Sequence, residues 1–480
     1  MNLVIDVHCH TFNADDVPVR GFLRRVAFHD SDLGDTIAEL VDLAIQGKAP
    51  GYRSEKAVLD QLLGANADQA MYGLESPYYG SDVVAALEHE VDDTLIALEG
   101  SNPAVLARIG TDLVAIEEVE HGFCPEVFAD LRARAIRRAV KWVRLFGKTR
   151  LDITRVLLDS FTIPVDLFCP LLVDLGSGLG DTAVTTPREQ VELQEKISRL
   201  SMLGKLSRKN DSRVHPFVGF DPRREFRARL SKDVETPLEI VRTAITKYGF
   251  VGIKMYPPMG WRPIGNMASR DMTAAEAIGL DEILHELYEW CVTEDVPLTA
   301  HCNDSNYAHE SYRSFASPEN WVAVLRKYPS LRLNLGHFGG ARKLEDDSGW
   351  PWMIARAARD YPHLYADVGN HRVYDASVTD PYLEMLAEMF DRPETASIKG
   401  RIMLGSDWYM VAIHPRYEHF LEDYSRVYAG RFGDEAAATF VGQAARSFLG
   451  FDEAHNRNTQ RLVARYQAIA PDRSPGWLAR

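Results

Sequence analysis

Hydrophobic residues recur along the chain in two rhythms. A short apolar run opens it, over about residues 3 to 9. From roughly 14 to 160 the apolar positions take the three-and-four spacing of amphipathic helices, in Asp82 to Leu98, Ala104 to Val119 and Glu126 to Phe146, which predicts a long helical stretch. From about 163 short apolar runs alternate with helical segments. The runs are Val165 to Val173, Val214 to Phe220, Phe250 to Tyr256, Pro297 to His301, Leu331 to His337, Leu364 to Val368 and Arg401 to Asp407, and with the opening run they make eight. Between them lie amphipathic segments such as Arg188 to Leu203, Pro237 to Tyr248, Ala274 to Val292 and Trp321 to Tyr328. Strand and helix in alternation are the pattern of a parallel sheet. Eight units predict an α/β protein built as a (β/α)8 TIM barrel with a large helical insertion after the first strand. A doubly wound open sheet would place a glycine-rich turn after its first strand, where this chain has histidines. The expected divisions are residues 1–13 and 161–451 for the barrel, 14–160 for the insertion and 452–480 for a C-terminal helical tail. Because the insertion leaves directly after His10, it is expected to cap the barrel mouth.

Composition narrows the class. The 480 residues are 46% hydrophobic and 26% charged, which is globular. Against 69 Asp and Glu stand 54 Lys and Arg, a formal charge of -15 that repels phosphate backbones and anionic lipid surfaces. Neither nucleic acid nor membrane is an expected partner; a small-molecule substrate is, and a homo-oligomer stays open. Five cysteines, Cys9, Cys124, Cys169, Cys291 and Cys302, are odd in number and lack CxxC spacing, as in a reduced, cytoplasmic protein. The opening residues form no signal peptide, and no run of about 20 apolar residues occurs.

Candidate chemistry collects at the C-terminal ends of the predicted strands, the face on which barrels build active sites. His8 and His10 are two residues apart, so on a strand they point the same way, sharing a face with Val4 and Asp6 while Ile5, Val7 and Cys9 face the outer helices. His301 ends the Pro297 run. His337 sits in Gly336-His337-Phe338-Gly339-Gly340, and strict alternation would put it beside Leu331, Leu333 and Leu335, so a local turn must reorient it. Asp407 ends the last run; a helix N-cap is its bland reading. Lys254 and Tyr256 point into the barrel, and a lysine there needs an acid, a substrate anion, or conversion to a carboxylated, metal-bridging ligand. Tyr256, Trp261 and Arg262 suit a planar, anionic substrate, although core packing explains Trp261 as well. Asn303, His371, Arg372 and Trp408 lie on other mouth loops. Gly176 to Gly180 reads as a mobile loop, since it lacks the phosphate-cradle endings. The basic helix carrying Arg132, Arg134, Arg137, Arg138, Lys141 and Arg144 reads as a solvated face or one with an acidic partner inside the molecule.

HxH after the first strand, His after the fifth, GHxGG after the sixth and GSDW after the eighth resemble the amidohydrolase superfamily of metal-dependent barrels. The last two look most like its amidohydrolase-related branch, which contains the aminocarboxymuconate-semialdehyde and resorcylate decarboxylases. Phe440 to Gly450 also resembles the C-terminal helix of that branch, with Gln443 where the family usually has Asn. The resemblance covers residues 1 to 12 and roughly 163 to 451. It implies His8, His10, His301 and Asp407 as metal ligands, with His337 as the catalytic histidine that protonates a leaving group or stabilises an oxyanion. Asp407 and Lys254 join His337 as catalytic candidates, and Tyr256, Trp261, Arg262, Asn303, Arg372 and Trp408 are the expected substrate contacts. The implied cofactor is a divalent metal, Zn²⁺ best matching these donors; one ion is favoured, two if Lys254 is carboxylated. The expected reaction is hydrolysis of a C–N or similar carbonyl bond. The alternatives are nonoxidative decarboxylation of a cyclic or aromatic acid and, third, metal binding without turnover.

Overall fold

The structure, a computed structural model, describes residues 3–27, 32–45, 49–64, 83–121, 128–179, 183–207, 210–232, 235–269, 271–340, 347–371 and 376–479. Its strands are β1 (Ile5–Cys9), β2 (Leu167–Pro170), β3 (Arg213–Val214), β4 (Phe217–Phe220), β5 (Gly252–Met255), β6 (Leu298–His301), β7 (Leu333–Gly336), β8 (Leu364–Asp367) and β9 (Ile402–Met403). Neighbours pair in sequence order and in parallel, as β1-β2-β3 and β4 through β9. All eight expected runs are strands. The run Val214 to Phe220 is split into β3 and β4 at His215 and Pro216, because proline has no N–H to give the ladder. The two sheets meet where Leu171 bridges Phe217 and the Leu172 N–H reaches the Phe217 carbonyl at 3.0 Å. At the other seam the Val7 N–H donates to Leu404 at 3.2 Å and the Asp407 N–H to His8 at 2.6 Å. These bonds make the ring of a (β/α)8 barrel.

Local sequence fixes where the outer helices begin. In Thr186-Pro187-Arg188-Glu189 and Thr236-Pro237-Leu238-Glu239 the threonine oxygen accepts the N–H of the glutamate, whose carboxylate reaches back to the threonine N–H. Proline follows each cap at a position needing no N–H. Ile5 and Val7 pack with Phe217, Met403, Phe448 and Leu449. Helix Ala444–Phe448 and helix Arg457–Ile469 lie at the N-terminal end of the barrel, where Phe448 stacks on Phe217 and Asn458 donates to the carbonyl of Val251, just before β5.

Among the described residues of 14–160 the regular elements are all helical. Helix Phe128–Phe146 carries the basic face, and it meets helix Val83–Ser101: Arg137 and Lys141 bond Glu88 at 2.7 and 2.8 Å, and Arg144 bonds Glu90. The acidic partner is within the molecule. Contacts from this region reach the loops after the strands, with Trp142 donating to the Tyr409 carbonyl at 2.6 Å, Arg138 to Ile413 at 3.2 Å and Arg25 to Ala308 at 3.1 Å. Phe12 stacks on Tyr409, ring centres 4.5 Å apart. No helix among the described residues is long and apolar enough to cross a membrane.

His215, between β3 and β4, is fully buried and bonded to Tyr466 at 3.0 Å and Ser198 at 3.4 Å. Burial, with Arg465 nearby, pushes its pKa down to about 3. The unfolded chain takes up a proton near pH 6.5 that the folded one refuses, so stability is fully present above that pH and is lost as pH falls. A His215→Gln variant is expected to show a shallower fall between pH 6 and 5, by up to about 1.4 kcal/mol per pH unit, in denaturant melts at each pH.

Candidate metal centre

The site begins at the end of β1, where His8 and His10 flank Cys9 and the pairing with β2 shifts register between Asp6 and Cys9. His8 Nδ1 lies 2.9 Å from Asp367 Oδ1, and His10 Nδ1 lies 2.8 Å from the Leu171 carbonyl. Carbonyl and carboxylate oxygens accept, so each Nδ1 carries the proton and each Nε2 keeps its lone pair. His8 Nε2 is buried with no hydrogen-bond partner. Asp407, with φ of 52°, bends the chain after β9 back towards β1. Its Oδ1 lies 3.4 Å from His10 Nε2, in no hydrogen bond. The donor atoms of His8, His10 and Asp407 all lie within 4.8 Å of one another. His301 is outside that group of three. Its Nε2 faces the Ser305 carbonyl at 3.2 Å, which leaves Nδ1 buried and unpartnered, and its ring packs 4.7 Å from that of His337.

Burial lowers the pKa of His10, His301 and His337 well below the usual value, aided by neighbouring positive charge. They are neutral imidazoles, the form that binds metal. Burial also raises Asp407, which His8 and Lys254 partly offset. The donor set therefore fits a divalent cation: lone pairs and one carboxylate, buried, three of them with no protein partner. An unsatisfied buried polar atom costs about 1–3 kcal/mol, a cost that a cation beside His8 and Asp407 would relieve for two of the three.

His337 is reoriented by the turn its register required. His337, Phe338, Gly339 and Gly340 have φ of 64°, 45°, 73° and 90°. Two non-glycine residues in the left-handed region cost about 1 kcal/mol or more each, so the turn must be held. The Asp367 carboxylate accepts the His337 N–H at 3.2 Å, and the His337 ring gives its Nδ1 proton to the Gly369 carbonyl at 2.9 Å. Nε2 is left unprotonated.

Lys254 is 1% exposed, without a hydrogen-bond partner, its ammonium 4.7 Å above the Tyr256 ring. Burial lowers its pKa to about 8. Tyr256 stacks on His301 at 5.5 Å. Trp261 and Trp408 are each 1% exposed and packed in the main core. Arg262 lies over Phe315 at 5.0 Å with its Nε unpartnered. Asn303 abuts Gly340, where a side chain would collide with it. Arg372 lies outside the described residues, as does Gly180; Gly176–Leu179 is a helical turn whose Gly178 packs against Met259.

Sequence reasoning passed over Asp367. It is fully buried and accepts from His8, from the N–H groups of His337 and Gly369, and through Oδ2 from Asn334 at 2.7 Å. Burial opposes its charge, yet the hydrogen bond from His8 and the Lys254 ammonium hold the carboxyl well below the usual range. The signal was present: Leu364-Tyr365-Ala366-Asp367 ends a strand in a carboxylate, by the same rule that singled out Asp407.

A family model described as Amidohydrolase matches residues 209–451. No curated protein matches the chain. Among solved structures the chain is similar to 4-oxalomesaconate hydratase, LigJ, from Rhodopseudomonas palustris, at 14% identity over 97% of this chain and 99% of that one, TM-score 0.40. It is also similar to an amidohydrolase from Burkholderia multivorans with bound zinc, at 14% identity over 60% of this chain and 84% of that one, TM-score 0.36. A putative 2-pyrone-4,6-dicarboxylic acid hydrolase from Pseudomonas putida shares 12% identity over 62% of this chain and 86% of that one, TM-score 0.36.

Proposed function

The chain belongs to the amidohydrolase family and is an enzyme of that superfamily, and from this premise we propose that it hydrolyses a C–N or similar carbonyl bond of a small molecule, with His8, His10, His301 and Asp407 holding one divalent ion. The observation that carries this reading is the set of buried atoms without a protein partner: His8 Nε2, His301 Nδ1 and Asp407 Oδ1. A bound divalent cation, Zn²⁺ for these donors, supplies Lewis acidity and lowers the pKa of a water to about 7. Asp407 takes a proton from the attacking water. His337 starts with its proton on the Gly369 side, so Nε2 first accepts the proton that Asp407 took from the water and only then passes it to the leaving group. Lys254 faces a planar, anionic substrate or the charge that develops on it. Residues 14–160 act as a cap that keeps water from the site, a role supported by the contacts of Trp142, Arg138 and Arg25.

The unpaired Lys254 ammonium favours a second reading, nonoxidative decarboxylation of a cyclic or aromatic acid, because a buried cation suits a substrate carboxylate. Carboxylation of Lys254 would instead make room for a second ion.

The test incubates the zinc-loaded protein with lactones, cyclic amides and aromatic carboxylic acids, following acid release and CO₂ separately. Hydrolysis without CO₂ is expected; CO₂ release alone moves the assignment to the lyase, and neither overturns both. For the active substrate, His337→Ala is expected to keep its metal while the rate falls by about 10² to 10⁴. Loss of one of two ions in that variant would favour the two-metal arrangement.

A further inference from the structure

A histidine with neither ring nitrogen free for a metal would ordinarily be set aside as structural. His371 is different, because of what it holds. The chain turns sharply after β8, with Asn370 at φ of 60° and the His371 N–H on the Val368 carbonyl at 3.0 Å. That turn returns the His371 ring to the backbone of His337, where Nε2 lies 2.8 Å from the His337 carbonyl. A carbonyl only accepts, so His371 carries its proton on Nε2, and Nδ1 must accept from the Tyr382 hydroxyl at 3.2 Å. Tyr382, in helix Ala376–Asp391, is 2% exposed, and its ring meets His371 edge to face at 5.3 Å.

The peptide of His337 is therefore gripped on both sides from one loop: Asp367 takes its N–H, His371 its C=O, and Gly369 the Nδ1 proton of its ring. We propose that His371, set in its tautomer by Tyr382, is a positioning residue for His337, holding the left-handed turn so that the imidazole stays on Gly369 and its Nε2 stays free for the reacting group. The proposal rests on the hydrolase reading of the same site. Both His371 nitrogens are engaged by protein, so it neither binds metal nor moves a proton; it acts through His337. A misplacement of about 1 Å at a reacting group costs about 10²-fold in rate, which sets the expected effect.

The experiment compares His371→Leu, His371→Gln and Tyr382→Phe in the zinc-loaded enzyme. Gln can place an amide N–H on the His337 carbonyl; Leu cannot. Expected are unchanged metal content in all three, a kcat lower by about 10- to 100-fold in His371→Leu with KM within about twofold, and rescue in His371→Gln to within a few-fold of the unaltered enzyme. Tyr382→Phe falls between. A second measurement needs no substrate: histidine nitrogen NMR of the isotope-labelled, zinc-loaded protein reads the His337 tautomer and the exchange rate of its Nδ1 proton. That proton is expected to exchange faster in His371→Leu and at the native rate in His371→Gln. If His371→Leu keeps both kcat and the His337 signal, or if Gln and Leu fail alike, the positioning role is overturned. If the unaltered enzyme turns over nothing, the hydrolase reading fails while the NMR comparison still decides the role of His371.

Discussion

A His8→Ala chain is expected to fold and yet to lose its metal, with no hydrolysis at any ion concentration that leaves the unaltered enzyme saturated. Asp407→Asn is expected to do the same, and asparagine is the better substitution because it tolerates the left-handed backbone that position 407 adopts. The donor atoms of His8, His10 and Asp407 span no more than 4.8 Å, so removing one opens the smallest set that can hold an ion. The contrast that makes the test specific is Asp367→Asn. Asp367 stands behind His8 at 2.9 Å and orients the ring without touching the ion, so its replacement should weaken binding by about 10- to 100-fold, the range for groups one step removed from a metal. Metal titration with thermal melts of the same samples orders the three. Full metal affinity in His8→Ala would remove the centre from this end of the barrel.

The second large effect concerns stability. Arg150 is 2% exposed and gives hydrogen bonds to both oxygens of Asp16 at 2.9 and 2.6 Å, to Glu55 at 2.7 Å and to Thr185 at 2.8 Å. These tie helix Tyr52–Gly64 to the segment after β1 and to the start of the helix after β2. Arg150→Met leaves two buried carboxylates without their cation, a change that costs about 3–5 kcal/mol. An exposed pair such as Arg20 with Asp42 is worth no more than about 1 kcal/mol. Burial already raises Glu55 to about 7 despite Arg150. A carboxyl raised in the folded state contributes its stability fully below its unfolded pKa, near 4.5, and loses it as pH rises through about 7. Without the guanidinium that loss deepens, so Arg150→Met should melt nearest to the unaltered protein at pH 5 and furthest from it at pH 8. Denaturant melts at the two pH values check both size and sign; a change below 1 kcal/mol at pH 8, about what a surface pair gives, would show the network to be idle.

The strands were legible because each buries both faces and so reads as a short apolar run between amphipathic helices. The histidines were legible by place: His8, His10 and His301 end such runs. Even the turn at His337 could be foreseen, since alternation alone put it on the wrong side. Asp367 and His371 were harder to weigh, because their importance lies in accepting from and donating to other residues across the barrel, and one chain's pattern carries no pairing between strands 33 or 34 positions apart. The placement of Trp261 was ambiguous for a related reason. A tryptophan near the mouth serves substrate or core equally well on paper, and the three-dimensional packing buries it in the core, as it does Trp408.

The seam between the first and last staves has a consequence for how the molecule is made. Synthesis delivers the N-terminus first and β2 is the first to pair with β1, but the partners on the other side arrive late: Asp6 waits for Ser406, 400 positions on, and His8 for Asp367, 359 positions on. Contacts so distant along the chain are slow to form because the loop they close costs entropy before it returns any contact. Until then β1, which carries Ile5, Val7 and His8, keeps one edge open to other unfinished chains. Barrel closure and the readiness of the centre for its ion are thus a single event, and a nascent chain stalled before Leu404 has neither a ring nor a site.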